Sequence, residues 1–149
     1  MSEPNRRQGR SFIVQSGVIP YRIRRGRVEV ALVTASSGPH WTVPKGHVEP
    51  DMTPEDSAAK EAYEESGLIG RVYRTRVGSY VYEKRGALRT VDLYPLAVRR
   101  QLKRWPEMNL RKRRWMTIEQ AASHVRSAEL RCCIQKFERM VTRRRAIAA

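Results

Sequence analysis

Acidic residues are scarce in this chain: fifteen Asp and Glu stand against thirty Lys and Arg, a formal net charge of +15. Such an excess favours polyanionic partners, but it does not separate nucleic acid, a membrane surface and a small polyphosphate. Cysteine is scarcer still. Cys132 and Cys133 are adjacent and read as small core or boundary residues of a helix, not as a disulfide framework or a zinc site. That points to a reducing compartment, and the expected location is cytoplasmic. No apolar run approaches the roughly 18 residues of a membrane span, and the polar N-terminus lacks a signal-peptide core. Internal repeats and low-complexity segments are absent. Aromatics make up 7%, and the sequence shows no exposed aromatic platform with interleaved basic residues of the kind single-strand nucleic-acid binders use. What remains, 149 residues of which 40% are hydrophobic, suffices for one domain with a proper core. The expected bounds are 12–142. A flexible basic arm, 1–11, with Arg6, Arg7 and Arg10, precedes it, and a basic tail, 143–149, follows.

The scarce acid is concentrated. Glu49, Asp51, Glu55, Asp56, Glu61, Glu64 and Glu65 all fall within the stretch Trp41 to Leu68, WTVPKGHVEPDMTPEDSAAKEAYEESGL. Its second half starts as a helix should, with Thr53 as N-cap, Pro54 at the first helical position and Glu55 and Asp56 at the positive helix end. Gly67 suits the left-handed residue past the C-terminus. Ala58, Ala59 and Ala62 offer a small face for close packing on a sheet. Glu61, Glu64 and Glu65, at i, i+3 and i+4, project from one side. No cation follows at i+4 to relieve their repulsion, and a hard divalent cation such as Mg²⁺ would turn it into binding. The alternative is a solvated acidic face.

In chain order, Phe12 to Arg22 reads as a strand, Arg25-Gly26 as a hairpin turn and Val28 to Ala35 as its partner. Ser36 to His40 is a loop ending at Trp41, which is read as a lid over the sheet. Val72 to Glu83 is expected to be one strand, turned back at Lys84-Arg85-Gly86 into Leu88 to Val98. Pro95 argues for an edge or a bulge there. A basic linker, 100–114, leads to a short strand around Trp115 and Met116. Thr117 then caps a helix through His124, and Leu130, Ile134, Phe137 and Val141 recur at helical spacing in a last helix. Strands, helix, strands, helices is the order of an α/β fold with a mixed sheet between helices.

Gly46, Glu61, Glu64, Glu65, Gly67 and Leu68 reproduce the spacing of the Nudix box, a glycine followed by RE-x-x-EE-x-G and an aliphatic residue. The chain therefore resembles the Nudix hydrolases. WTVPKGHVEP and the later W-P-E…R-K-R-R-W-M-T-I-E-Q-A stretch are similar to the branch that holds the diphosphoinositol polyphosphate phosphohydrolases and the diadenosine polyphosphate hydrolases. Met52 and Lys60 depart from the box, standing where glutamate and arginine are usual, so any ion pair between these two positions is gone. Lys45-Gly46-His47 also replaces the glycine triplet of the inositol enzymes. The resemblance implies an α/β/α sandwich with a mixed β-sheet. It also implies Mg²⁺ as cofactor, with Mn²⁺ as substitute, and hydrolysis of a phosphoanhydride bond in a polyphosphorylated small molecule. Glu61, Glu64 and Glu65 would be catalytic residues and metal ligands, with the Gly46 carbonyl as an added ligand. Ser36, Ser37 and Arg89 are taken as substrate contacts from their places at loop and strand ends, and Lys45 as a phosphate contact because Gly46 sets the neighbouring backbone beside the metal site, the alternative being a solvated loop lysine. One of the three glutamates, or a carboxylate outside the box, would accept the proton of the attacking water; Glu83 and Glu107 are the candidates for the outside carboxylate, with a plain surface role the favoured reading of each. Two other readings stand beside this one: an RNA 5′-end pyrophosphohydrolase, and a non-catalytic nucleic-acid-binding or regulatory module. Nucleic acid is the second choice of partner and a membrane is not expected.

Overall fold

Six consecutive buried residues, Gln15 to Pro20, mark the first strand as central, because both faces of its pleat must be covered. The computed structural model describes residues 12–148, with side chains through Arg144, so the arm read for 1–11 lies outside the described residues. β1 is Phe12–Arg24 and β2 Arg27–Thr34; β3 (Trp41–Thr42) and β4 (Lys45–His47) lead into α1 (Pro54–Ser66). β5 (Leu68–Val72), β6 (Gly78–Lys84), β7 (Ala87–Gln101) and β8 (Arg113–Thr117) follow, then α2 (Ile118–His124) and α3 (Ala128–Ala148). The sheet runs β3-β2-β1-β7-β5, with β4 added to β1, β6 to β7 and β8 to β2. β1 and β7 are parallel and every other pair antiparallel. This is the expected mixed sheet in an α/β/α sandwich.

Neighbouring residues of β1 divide the core. Val18 packs with Ala58 and Ala62 of α1 and with Tyr94 and Leu96 of β7. Ile19 packs on the other side with Leu93, Ile118, Leu130, Ile134 and Phe137. The stripe read for the last helix is therefore its buried face, and each fully buried large side chain contributes roughly 1.5–3 kcal/mol. Small residues are what let α1 approach the sheet.

Two expectations need correction. The segment 72–83 is two strands, because β7 is long enough to take two partners in succession: β5 pairs with Leu96 to Gln101 and β6 with Ala87 to Leu93. Pro95 is not on a sheet edge, since β1 flanks β7 on its other side. It sits at the seam, where Leu93 O accepts from Val77 N and Pro95 O from Tyr73 N. Its missing N–H thus falls on the side where neither β5 nor β6 is paired, and a missing donor is tolerated there. Both hairpins turn on an Arg-Gly pair with positive φ, Arg25-Gly26 and Arg85-Gly86, as type I′ turns require. The backbone of 143–148 continues α3. Cys132 is exposed, Cys133 is buried and neither is in a disulfide. Among the described residues no helix is long and apolar enough to cross a membrane.

Candidate active site

α1 begins where its capping residues dictate. The Thr53 hydroxyl accepts from the Asp56 N–H at 3.1 Å, and Gly67 (φ 66°) ends the helix by donating its N–H to Tyr63 O. The face carrying Glu61 and Glu65 is turned toward β4. There Gly46 has no side chain for a reason: a Cβ built on it would land on the Glu61 carboxylate. Gly46→Ala is accordingly expected to displace Glu61 and to lower kcat/KM about 10²-fold, the effect of a misplacement near 1 Å. Steady-state kinetics with unchanged thermal melting would confirm it; wild-type kinetics would show that β4 does not set the Glu61 position.

The Glu65 carboxylate is nearly sealed, 4% exposed. Its Oε2 accepts the Lys45 backbone N–H at 3.2 Å, and its Oε1 lies 3.3 Å from Arg111 Nη2. Arg111 also donates from Nε to Glu107 Oε1 at 3.0 Å and from Nη1 to Thr34 O at 3.1 Å. The segment read as a basic linker thus wraps the end of the acidic helix. Trp105 Nε1 donates to Glu65 O, Arg113 Nη1 to Ser66 O, and the Glu107 N–H to Glu64 O. These bonds satisfy carbonyls that a helix C-terminus leaves without partners, and the Arg113 guanidinium stacks on Trp105 at 4.1 Å. Arg111, Trp105 and Arg113 were not singled out from the sequence. Nothing in a run of basic residues tells which one turns inward. Glu107, assigned to the surface, belongs to the site.

The unusual pair at positions 52 and 60 resolves differently from the sequence reading. Lys60 Nζ bonds Glu49 Oε1 at 3.1 Å and lies 3.6 Å from Glu64 Oε1. The acidic face therefore does have a cation, four residues before Glu64 and not after it. Glu49 supplies the charge that Met52 does not, and half-buried Met52 only closes the turn, donating its N–H to Glu49 O.

Beside these carboxylates lies a cavity of about 430 Å³. Lys45, Ser36 and Ser37 line it, as do Glu65, Glu83, Arg111, Lys84, Arg126, Trp41 and Tyr82. Arg89 is not among the lining residues. Its Nη1 donates to Lys84 O at 2.7 Å, bracing the β6–β7 turn. Lys45 Nζ sits 5.0 Å from the Tyr82 ring centre, and the Tyr82 hydroxyl donates to Gln15 Oε1 at 2.7 Å.

The electrostatics show an excess of buried negative charge. Burial pushes Glu61 up to about 7, and the nearby Glu64 and Glu107 carboxylates add to the shift. Glu65 is also pushed up to about 7: desolvation outweighs Arg111 and Lys45, which pull the other way. Burial lowers Lys45 to about 8, opposed by Glu65. Among the described residues no three His, Cys, Asp or Glu side chains already converge as a ligand set, since Glu64 turns to Lys60 and Glu65 to Arg111. The donor chemistry nonetheless fits a hard divalent cation. All the donors are oxygens, their mutual repulsion is what such an ion relieves, and Gly46 lets the Glu61 carboxylate lie against the β4 backbone.

The family model described as NUDIX domain matches residues 14–137. The chain is 32% identical over 123 residues to Nudix hydrolase 18, mitochondrial, of Arabidopsis thaliana, covering 76% of this chain and 68% of that one. It is 38% identical over 96 residues to diphosphoinositol polyphosphate phosphohydrolase 2 of Rattus norvegicus, covering 62% of this chain and only 52% of the other. Its fold is similar to that of a C. elegans Ap4A hydrolase binary complex, with a TM-score of 0.75, 25% identity and coverage of 87% and 98% of the two chains.

Proposed function

The chain belongs to the NUDIX domain family, and from that premise we propose that it is a Mg²⁺-dependent pyrophosphohydrolase of a polyphosphorylated small molecule. One observation carries this reading: an acidic helix face meets, through Glu65 and Lys45, a compact cavity whose other cations are Lys84, Arg111 and Arg126. Carboxylates on the helix face, with guanidinium and ammonium groups around the adjoining cavity, suit a ligand whose phosphates run from a cation site into a basic pocket. Trp41 and Tyr82 add ring surface to the same cavity. A diadenosine polyphosphate uses both the rings and the charges and is the first choice; a diphosphoinositol polyphosphate uses the charges alone and is the second.

Glu61, Glu64 and Glu65 would hold Mg²⁺, or Mn²⁺ in its place, together with the Gly46 carbonyl. When bound, the ion supplies charge neutralisation on phosphate oxygens and an acidified water. The chain's own groups do the rest. Lys45, lowered to about 8, still carries most of its charge at neutral pH and faces the cavity as a phosphate partner. Arg111 holds Glu65 and Glu107 in register. Ser36, whose hydroxyl accepts from Lys84 Nζ at 3.3 Å, places that ammonium at the rim. Free Cys132 and Cys133 support a reducing compartment, which we take to be the cytoplasm.

The deciding experiment measures initial rates of nucleotide or phosphate release with Mg²⁺ and with Mn²⁺. The substrates are diadenosine polyphosphates, inositol pyrophosphates, nucleoside triphosphates and triphosphorylated RNA. The expected order puts diadenosine polyphosphates first. RNA as the best substrate would favour the 5′-end reading, and no turnover of any substrate would leave a non-catalytic module.

A further inference from the structure

The fold completes an aromatic and basic cluster of which the sequence holds only a part, Arg71-Val72-Tyr73-Arg74. Arg71 of β5 lies beside Ala97 of β7, which lies beside Tyr21 of β1. Tyr73 follows two residues after Arg71. The Arg71 guanidinium lies 4.8 Å from the Tyr73 ring centre, and the Arg144 guanidinium lies 4.5 Å from it. Arg144 arrives from α3, three residues past Val141, the last apolar residue of the buried stripe. The cavity is elsewhere: Leu130 borders it, and Arg144 is fourteen residues further on, about 21 Å along the helix at roughly 1.5 Å per residue.

The same end of the sheet carries more cations. The β1–β2 hairpin sets Arg24 directly opposite Arg27, and β7 continues past Ala97 into Arg99 and Arg100. Arg24, Arg27, Arg71, Arg99, Arg100 and Arg144 have no ion-pair partner among the described residues, whereas Arg22, Lys60, Arg76 and Arg111 do. Like charges facing one another across strands are destabilising, so the folded chain alone gains nothing from this arrangement. Stacking on Tyr73 restrains the Arg71 and Arg144 guanidiniums while leaving their in-plane N–H groups to donate as two-pronged phosphate ligands.

We propose that this end of the sheet is a second binding surface, which takes the sugar–phosphate backbone of a single-stranded nucleic acid. The surface stands on its own and does not rest on the catalytic reading. A polymer is the fitting partner because the charges are spread too widely for one phosphate group. Arg24 and Arg27 project from the sheet face opposite Arg71, so a ligand that touches both passes around the strand ends, across three strand spacings or roughly 14 Å from β2 to β5, and α3 adds Arg144 beyond. All six cations are arginine, the residue suited to forked phosphate contacts and to stacking. A membrane would need apolar groups to insert, and of the exposed large hydrophobics only Ile23 lies here.

The test is fluorescence anisotropy of a labelled single-stranded RNA in EDTA, with a probe of about 20 nucleotides and salt at about 50 and about 200 mM. The wild type is expected to bind with steep salt dependence. Arg71→Gln with Arg144→Gln should weaken binding about tenfold or more and flatten the salt slope by about 1.4, since each single-strand phosphate contact contributes about 0.7. Arg24→Gln with Arg27→Gln, on the exposed hairpin, should act in the same direction without touching the seat of α3, so poor folding of the first pair does not decide the matter. Neither pair should alter hydrolysis of a small substrate. Salt-insensitive or absent RNA binding by the wild type would overturn the proposal, as would full binding by both pairs. So would co-sedimentation with phosphatidylserine vesicles that the RNA does not compete away.

Discussion

Arg111→Ala is expected to lose roughly 3–5 kcal/mol of stability, the usual consequence of removing one partner of a buried ion pair. Urea unfolding in EDTA reads it directly. The guanidinium is 11% exposed and bonds Glu65, Glu107 and Thr34 O together. Its loss leaves a 4% exposed carboxylate with only the Lys45 N–H and the Lys45 ammonium nearby. The deficit should depend on pH in a definite direction. Glu65 already has a folded pKa raised to about 7 from an unfolded value of 4.5, so the folded state binds the proton more tightly. Stability then falls as pH rises from the unfolded value to the folded one and levels off above it. Without Arg111 the folded value moves higher, because the lowering cation is gone. The variant should therefore keep losing stability above pH 7, where the wild type has levelled. Arg111→Lys should recover only part of the loss, since an ammonium cannot make the three directed bonds. An Arg111→Ala protein within about 0.5 kcal/mol of wild type, the range of surface changes, would refute this account of the site.

Arg111 also shows where the sequence stops being legible. The acidic helix can be read residue by residue: Thr53, Pro54 and Gly67 fix its ends, Ala58 and Ala62 its buried side, and Glu61, Glu64 and Glu65 its working side. Every one of those signals acts within a few positions of the residue it explains. Partners separated along the chain are a different matter. Glu65 and Arg111 meet across 46 positions, and Tyr73 and Arg144 across 71. With thirty Lys and Arg to choose from, local pattern cannot say which cation turns inward. The same limit applies to Arg89, taken as a substrate contact from its strand-end position: its Nη1 donates to the Lys84 carbonyl of its own hairpin, and no local signal announces that bond. Lys60 was misjudged by direction alone, because a helical pair one turn back is as close as one turn forward. The division of 72–83 into two strands depended on the length of β7, which only the pairing reveals.

The largest effect on turnover is expected from the two carboxylates that no arginine holds. Glu61→Gln and Glu64→Gln should each lower kcat/KM at least about 10²-fold with Mg²⁺ present, whether the group acts as ligand or as proton acceptor. Neither should weaken the fold. Glu61 is crowded by Glu64 and Glu107, which together with burial raise it to about 7, so a neutral amide at position 61 removes repulsion and should leave thermal melting unchanged or higher. Glu65→Gln must behave otherwise, because it also gives up the Arg111 contact and the Lys45 N–H bond to a carboxylate; activity and stability should fall together. Calorimetric Mg²⁺ titration separates the roles. A ligand's amide variant binds the ion more weakly, while a proton acceptor's variant binds it normally and is simply slow. If Glu61→Gln and Glu64→Gln both kept wild-type kcat/KM, the acidic face of α1 would be a solvated surface after all, and the reaction centre would have to be sought among Glu83, Glu107 and the far wall of the cavity.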